Sequence, residues 1–215
     1  MSNLILFLDN EKAFDRVQHD FMFNVLRAFN LPEETVAAVR TLYRSASTAV
    51  KTNGEIGTAF EQTSGVRQGC PLSPLLYLLV QEVQLRMIRE NADIEGIPIP
   101  DHDGRDPSQT AAPTIVKERG LVDDTMVCLR SPESVVPLLH TLTRFEAFSN
   151  HRMNVDKTIL LLLGQHRAFD LLGDSHAARL LRARKVLPAQ VHDVSKTGVN
   201  LPDKWHGILL GGERG

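Results

Sequence analysis

Cysteine is scarce: Cys70 and Cys128 are the only two in 215 residues. They make neither a disulfide framework nor a zinc-type ligand spacing, and each reads as a small core residue. Long apolar runs are lacking too. No stretch reaches the ~18 residues that a membrane span needs, and residues 2–8, "SNLILFL", stop too abruptly at Asp9 for a signal peptide. The expected location is therefore intracellular, nucleus or cytoplasm, with no membrane partner. Surplus positive charge is also missing. Against 26 Asp and Glu stand 24 Lys and Arg, a net charge of −2, which argues against a domain that grips nucleic acid by bulk charge. The local basic run at 179–185, "RLLRARK", reads as the solvated face of a helix over 177–185. No internal repeat is present.

What remains is an ordinary globular composition, 42% hydrophobic and 23% charged, enough for one sizeable domain or for one domain and a fragment of a second. The chain opens inside structure, because "NLILFLD" is an apolar strand that breaks at a carboxylate. Apolar residues at helical spacing then predict a helix over 17–29 and another from Pro32 to about Ala46. Asn53-Gly54 marks a hairpin turn, and the Gly- and Pro-rich loop 65–74 leads into a long helix over 75–89. Residues 100–114 read as a polar surface loop, and "IVKERGLVDDTMVCL" as two strands flanking an Asp pair. Ser131 is placed as the cap of a helix running to about Phe148, and "MNVDKTILLLLG" returns to strand. This order predicts an α+β fold, a βαββαβ, ferredoxin-like antiparallel sheet with helices on one face.

Taken alone, Asp123-Asp124 is most simply a tight turn. Asp9 changes that reading, since it also ends an apolar strand. In such a sheet the first strand neighbours the central hairpin, so the three carboxylates converge at one edge. They would repel unless cations neutralise them. Oxygen-only ligands suit Mg²⁺, and two ions ~3.5–4 Å apart serve phosphoryl or nucleotidyl transfer.

The segments "FLDNEKAFDRVQHDFM" (7–22), "SGVRQGCPLSPLLYLL" (64–79), "LVDDT" (121–125), "NHRMNVDKT" (150–158) and "KWHGILLGG" (204–212) follow one another in an order that resembles motifs A to E of the reverse transcriptase palm. The likeness is closest to the LINE-type, non-LTR retrotransposon enzymes; a group II intron-type enzyme shares the palm and is the nearest alternative. The resemblance implies a palm over 1–164 and a C-terminal extension over 165–215 ending in the motif E-like segment. Fingers before motif A and a thumb after motif E are absent from these residues, so the expectation is an RNA-directed DNA polymerase fragment that is weak or inactive in isolation. A non-catalytic remnant that binds partners through uncovered palm surfaces is the alternative of another class.

By the same resemblance Asp9, Asp123 and Asp124 are catalytic and ligate two Mg²⁺ ions, or Mn²⁺, with the backbone carbonyl of Asn10 as a further ligand. Phe14 abuts the sugar and excludes a 2′-hydroxyl. Gln68 and Gly69 contact the nascent base pair and template, Gly65 and Gly69 allow close backbone approach to nucleotide, and Lys157 lies near the pyrophosphate leaving group. Lys12 and Asp15 are expected to pair locally. The implied partners are an RNA template, a DNA primer and dNTPs. Leu121 and Val122 stand where the family has an aromatic residue and Ala, and His206 where it has Leu.

Overall fold

The computed structural model describes residues 3–44, 46–99, 112–154, 156–163 and 191–193. Strand β1 (Asn3–Leu8) is followed by helices α1 (His19–Ala28) and α2 (Glu33–Tyr43). Four short strands come next, β2 (Ser47–Thr48), β3 (Lys51–Thr52), β4 (Glu55–Ile56) and β5 (Phe60–Glu61), before the long helix α3 (Ser73–Glu90). Then follow β6 (Ile97–Ile99), β7 (Thr114–Val116), β8 (Glu118–Leu121), β9 (Asp124–Leu129), helix α4 (Val135–Ser149), β10 (Ile159–Leu163) and β11 (Val191–Asp193).

The main sheet runs in the order β11-β10-β1-β9-β8. All neighbours are antiparallel except β11, which lies parallel to β10 as an edge strand that the sequence did not announce. Alternation along β1 explains its continuous apolar run. Leu4, Leu6 and Leu8 join Val127, Leu129 and Leu160 against Ile88 of α3 and Leu138 and Leu142 of α4. Ile5 and Phe7 point the other way, with Met126, Cys128 and Leu161, and are covered in part by Val116 of β7. A strand buried on both faces has no polar side to show. Each such leucine contributes roughly 1.5–3 kcal/mol by leaving water. A second cluster joins α1, α2, α3 and α4 through Val17, Met22, Leu26, Val36, Tyr77 and Phe145.

The Asn53-Gly54 turn forms as expected, both residues with positive φ (50° and 90°) between paired β3 and β4. Other boundaries shift. Helix α1 starts at His19, because residues 11–16 form turns, and α3 begins at Ser73 with Pro74 in its first turn, where a missing N–H costs nothing. The expected strand before the Asp pair divides in two: β7 pairs with β6 outside the main sheet, while β8 pairs with β9. Ser131 makes no side-chain cap; a 3₁₀ turn, Pro132–Ser134, intervenes, and the Ser134 hydroxyl instead accepts the Glu95 amide at 3.0 Å. Cys128 is buried as expected, its thiol pushed up to about 11 by that burial, but Cys70 is half-exposed. The helix over 177–185, the run 179–185, His206, the motif E-like segment and most of the loop 100–114 lie outside the described residues. Among the described residues no helix is long and apolar enough to cross a membrane.

Candidate active site

Asp9 follows the last residue of β1. Its carbonyl accepts the Asn154 amide at 2.7 Å, and the Glu11 amide donates to the Arg152 carbonyl at 2.8 Å. These two bonds flank the Asn10–Met153 bridge, so the carbonyl of Asn10 takes no part in it. Strands β1 and β9 pair up to Leu8 opposite Thr125, and one step further along this register come Asp9 and Asp124. Leu121 pairs with Asp124, leaving Val122 and Asp123 as the turn between β8 and β9. The acidic pair therefore straddles turn and strand: Asp123 is an exposed turn residue, and Asp124 opens β9 half-buried. Val122 has φ 56°. For a β-branched side chain this left-handed conformation costs about 1–3 kcal/mol, so the turn stores strain beside the carboxylates.

Beneath the two tips lies the Tyr77 phenol, fully buried on α3. Burial raises its pKa most, the charge of Asp123 raises it next, the Asn10 amide opposes, and Asp9 and Asp124 raise it further. The strand register sets Asp9 opposite Asp124, with Asp123 in the adjoining turn. Among the described residues, however, no three His, Cys, Asp or Glu side chains stand close enough to cage a metal ion by themselves.

An open pocket of ≈ 370 Å³ is lined by Phe14, Arg67, Gln68, Gly69, Ser73 and Pro74, so Phe14, Gln68 and Gly69 meet in one place. Phe14 is both half-buried core and pocket wall, stacked on Tyr77 with centroids 4.7 Å apart and planes 13° from parallel. The loop bearing Gln68 is clamped to the turn bearing Phe14. The Val66 amide donates to the Phe14 carbonyl and the Gly65 amide to that of Val17, each at 2.8 Å. Gly65 fits the clamp rather than a ligand: with φ 86°, any Cβ there would lie 2.7 Å from the Asp15 carbonyl oxygen. Gly69, also at positive φ (83°), has nothing within 4 Å of where a Cβ would stand. Asp15 meets Lys12 through the backbone, its amide donating to the Lys12 carbonyl at 2.9 Å, and not through an ion pair; its carboxylate accepts Gln68 Nε2 at 3.2 Å.

Lys157 is exposed on the turn before β10. Its amide and that of Thr158 donate to the carbonyl of Asn154, the residue that holds Asp9, so the turn is tied to the carboxylate tip. Sequence reasoning missed Tyr77, Gln81, Thr125 and His151. Gln81 and Gln84 had a signal, two amides on the buried stripe of α3. His151 is 1% exposed, with no hydrogen-bond partner for either ring nitrogen and its ring 5.7 Å from Tyr77 and 5.3 Å from Phe145. Burial pulls its pKa down to about 4, with the nearby Ser149 backbone opposing and the charge of Arg16 adding to the fall, and it is neutral near pH 7.

Residues 1–176 match the family model for reverse transcriptase (RNA-dependent DNA polymerase). The chain belongs to the reverse transcriptase family. Its curated relatives are proteins of transposable elements. The transposon TX1 uncharacterized 149 kDa protein of Xenopus laevis is 41% identical over 90 residues, which is 42% of this chain and 7% of that protein. The Pol polyprotein of the type-1 retrotransposable element R2 of Nasonia vitripennis is 39% identical over 87 residues, 40% of this chain and 8% of that protein. That of R2DM from Drosophila melanogaster is 37% identical over 81 residues, 38% of this chain and 8% of that protein. The reverse transcriptase chain thus spans under a tenth of each of these relatives. In shape it is similar to telomerase from Candida tropicalis solved with a fragment of telomeric RNA, with a TM-score of 0.55 at 11% identity, covering 75% of this chain and 26% of that one. The apo form of that telomerase gives 0.52 at 12% identity, covering 78% and 32%.

Proposed function

We propose that this domain forms the palm of an RNA-directed DNA polymerase, a split βαββαβ sheet whose strand tips carry a two-metal nucleotidyl-transfer site. The observation that carries the reading is the β1–β9 register, which sets Asp9 opposite Asp124 with Asp123 in the adjoining turn, together with a pocket walled by Phe14, Gln68 and Gly69. The strand order β10-β1-β9-β8, with α3 and α4 behind it, supports the ferredoxin-like description. The donor set is hard oxygen throughout and fits Mg²⁺ or Mn²⁺. Magnesium asks for one or two carboxylates, completed by water and substrate phosphate, and needs no cage of three protein ligands. Asp9, Asp123 and Asp124, with the Asn10 carbonyl, would hold the ions. Bound there, the metal neutralises phosphate charge and lowers the pKa of the attacking hydroxyl.

The remaining roles belong to the chain itself. Phe14 closes the pocket against a 2′-hydroxyl. Gln68 and Gly69 border the nascent base pair and template, with Gln68 steadied by Asp15. Arg67, on the same rim, faces anionic substrate. Lys157, on the turn that holds Asp9, would protonate the leaving pyrophosphate. The partners on this reading are an RNA template, a DNA primer and dNTPs, and the likeness to a telomerase solved with RNA supports the first of them. The R2 and TX1 relatives favour the non-LTR type over the group II intron type.

The test is primer extension on an RNA template with Mg²⁺. Slow incorporation that disappears in Asp123→Ala supports the assignment, and incorporation that survives Asp123→Ala overturns it. The second reading, a non-catalytic interaction module, rests on large apolar residues left exposed, among them Ile56 at 74% and Phe60 at 56%. A chain that incorporates nothing and binds no divalent ion at millimolar concentration favours that reading.

A further inference from the structure

Tyr77 joins the two halves of the site through different parts of one side chain. Its ring carries Phe14, the pocket wall, in a near-parallel stack at 4.7 Å. Its hydroxyl lies 3.5 Å from Asn10 Nδ2, at the long end of hydrogen-bonding range, and donates to Gln81 Oε1 at 3.3 Å. Gln81 Nε2 in turn donates to Thr125 Oγ1 and to Gln84 Oε1, both at 2.8 Å. Asn10 immediately follows Asp9, and Thr125 immediately follows Asp124. A single chain of polar side chains therefore connects the neighbours of the two carboxylates through the middle of α3.

Stability alone gives no reason for this chain. Tyr77, Gln81, Gln84 and Thr125 are all buried, at 0, 2, 4 and 0% exposure, where apolar side chains would fill the same space without needing partners. A buried polar network that is satisfied specifies position instead, because each member is penalised for leaving its partner. The positions specified are those of the two strand tips.

We propose that Tyr77 is a positioning residue with two separable actions. Its hydroxyl, through Asn10 on one side and Gln81 and Thr125 on the other, sets the spacing of Asp9 and Asp124 and hence the affinity for the divalent ion. Its ring sets the height of Phe14 and hence the discrimination between deoxyribose and ribose. The inference rests on the reading of these carboxylates as a cation site and of Phe14 as the sugar wall.

The experiment measures Mn²⁺ binding to the full chain by electron paramagnetic resonance, and binding of dATP and ATP in the presence of Mn²⁺. The variants are Tyr77→Phe, Tyr77→Leu, Asn10→Ala and the Tyr77→Phe/Asn10→Ala pair. Tyr77→Phe keeps the stack and loses the hydroxyl; it should weaken Mn²⁺ about fivefold, the scale of one hydrogen bond, and leave the dATP-to-ATP affinity ratio unchanged. Tyr77→Leu should weaken Mn²⁺ similarly and also bring that ratio towards one. Asn10→Ala should repeat the metal defect of Tyr77→Phe, and the double variant should be no worse than either, since both break one link. Circular dichroism melts identify folded variants. If Tyr77→Leu fails to fold, Tyr77→Phe and Asn10→Ala decide. Wild-type Mn²⁺ affinity in Tyr77→Phe, or an altered sugar ratio in it, overturns the inference alone. A wild-type chain that binds no Mn²⁺ overturns the cation-site reading and takes this inference with it.

Discussion

Leu4, Leu6, Val127, Leu129, Leu138 and Leu142 pack together as a wholly aliphatic layer between the sheet and helices α3 and α4. Nearer the start of α3, at equal depth, stand Tyr77, Gln81, Gln84, Thr125 and His151. The same strand, β9, contributes Thr125 to the second region and Val127 and Leu129 to the first. Packing alone explains the aliphatic layer, where shape and volume suffice. At that depth Tyr77, Gln81, Gln84 and Thr125 need directional bonds and have them, while the ring nitrogens of His151 go without. The aliphatic layer serves stability alone, whereas the polar groups sit against a second apolar cluster and link the residues next to Asp9 and Asp124.

Three substitutions sharpen this contrast. The largest effect is expected from Leu142→Ala, which should cost roughly 4 kcal/mol in urea unfolding by leaving a cavity in the aliphatic layer, with Mn²⁺ affinity of the folded protein unchanged. His151→Leu acts in the polar region and is seen in pH dependence. The His151 pKa falls from the ordinary 6.5 to about 4 on folding, so between those values the unfolded chain binds more protons and stability drops as pH is lowered. That loss amounts to about 3 kcal/mol across the window and is complete below pH 4. His151→Leu should flatten the pH dependence of the melting temperature over this range without lowering stability at pH 7, since the ring nitrogens have no partner to lose. The smallest effect is Val122→Gly. Relief of the left-handed strain outweighs the added freedom of glycine in the unfolded chain, for a net gain of about 1 kcal/mol in the same urea titration.

Much of this division was legible in the sequence. Period-two alternation was hidden in β1, because both of its faces are buried, yet its abrupt end at Asp9 marked the strand tip. The Asn53-Gly54 turn and the Pro-bounded entry to α3 were readable from local chemistry. The likeness of residues 7–22 and 64–79 to known motifs singled out Phe14, Gln68 and Gly69, which the fold sets around one pocket. What could not be read was anything that depends on contact across the fold. The clamp of Gly65 on Asp15 joins residues 50 positions apart, and the switch of the Asp15 carboxylate from Lys12 to Gln68 follows from it. Nor could the left-handed Val122 be foreseen, since valine resists that conformation and only the β8–β9 register imposes it. The turn reading holds for Asp123 alone: Asp124 opens β9, one register step from Thr125 and opposite Asp9.

Asp9, Asp123 and Asp124 are proposed to form one cation site at the strand tips. Titration of Mn²⁺ into the wild-type chain, Asp9→Asn and Asp123→Asn, followed by electron paramagnetic resonance, addresses it without requiring turnover. The account predicts binding at millimolar concentration or below in the wild type, weakened about tenfold or more in each variant as one carboxylate ligand is neutralised. Binding equal in all three proteins, or absent from the wild type, would contradict it.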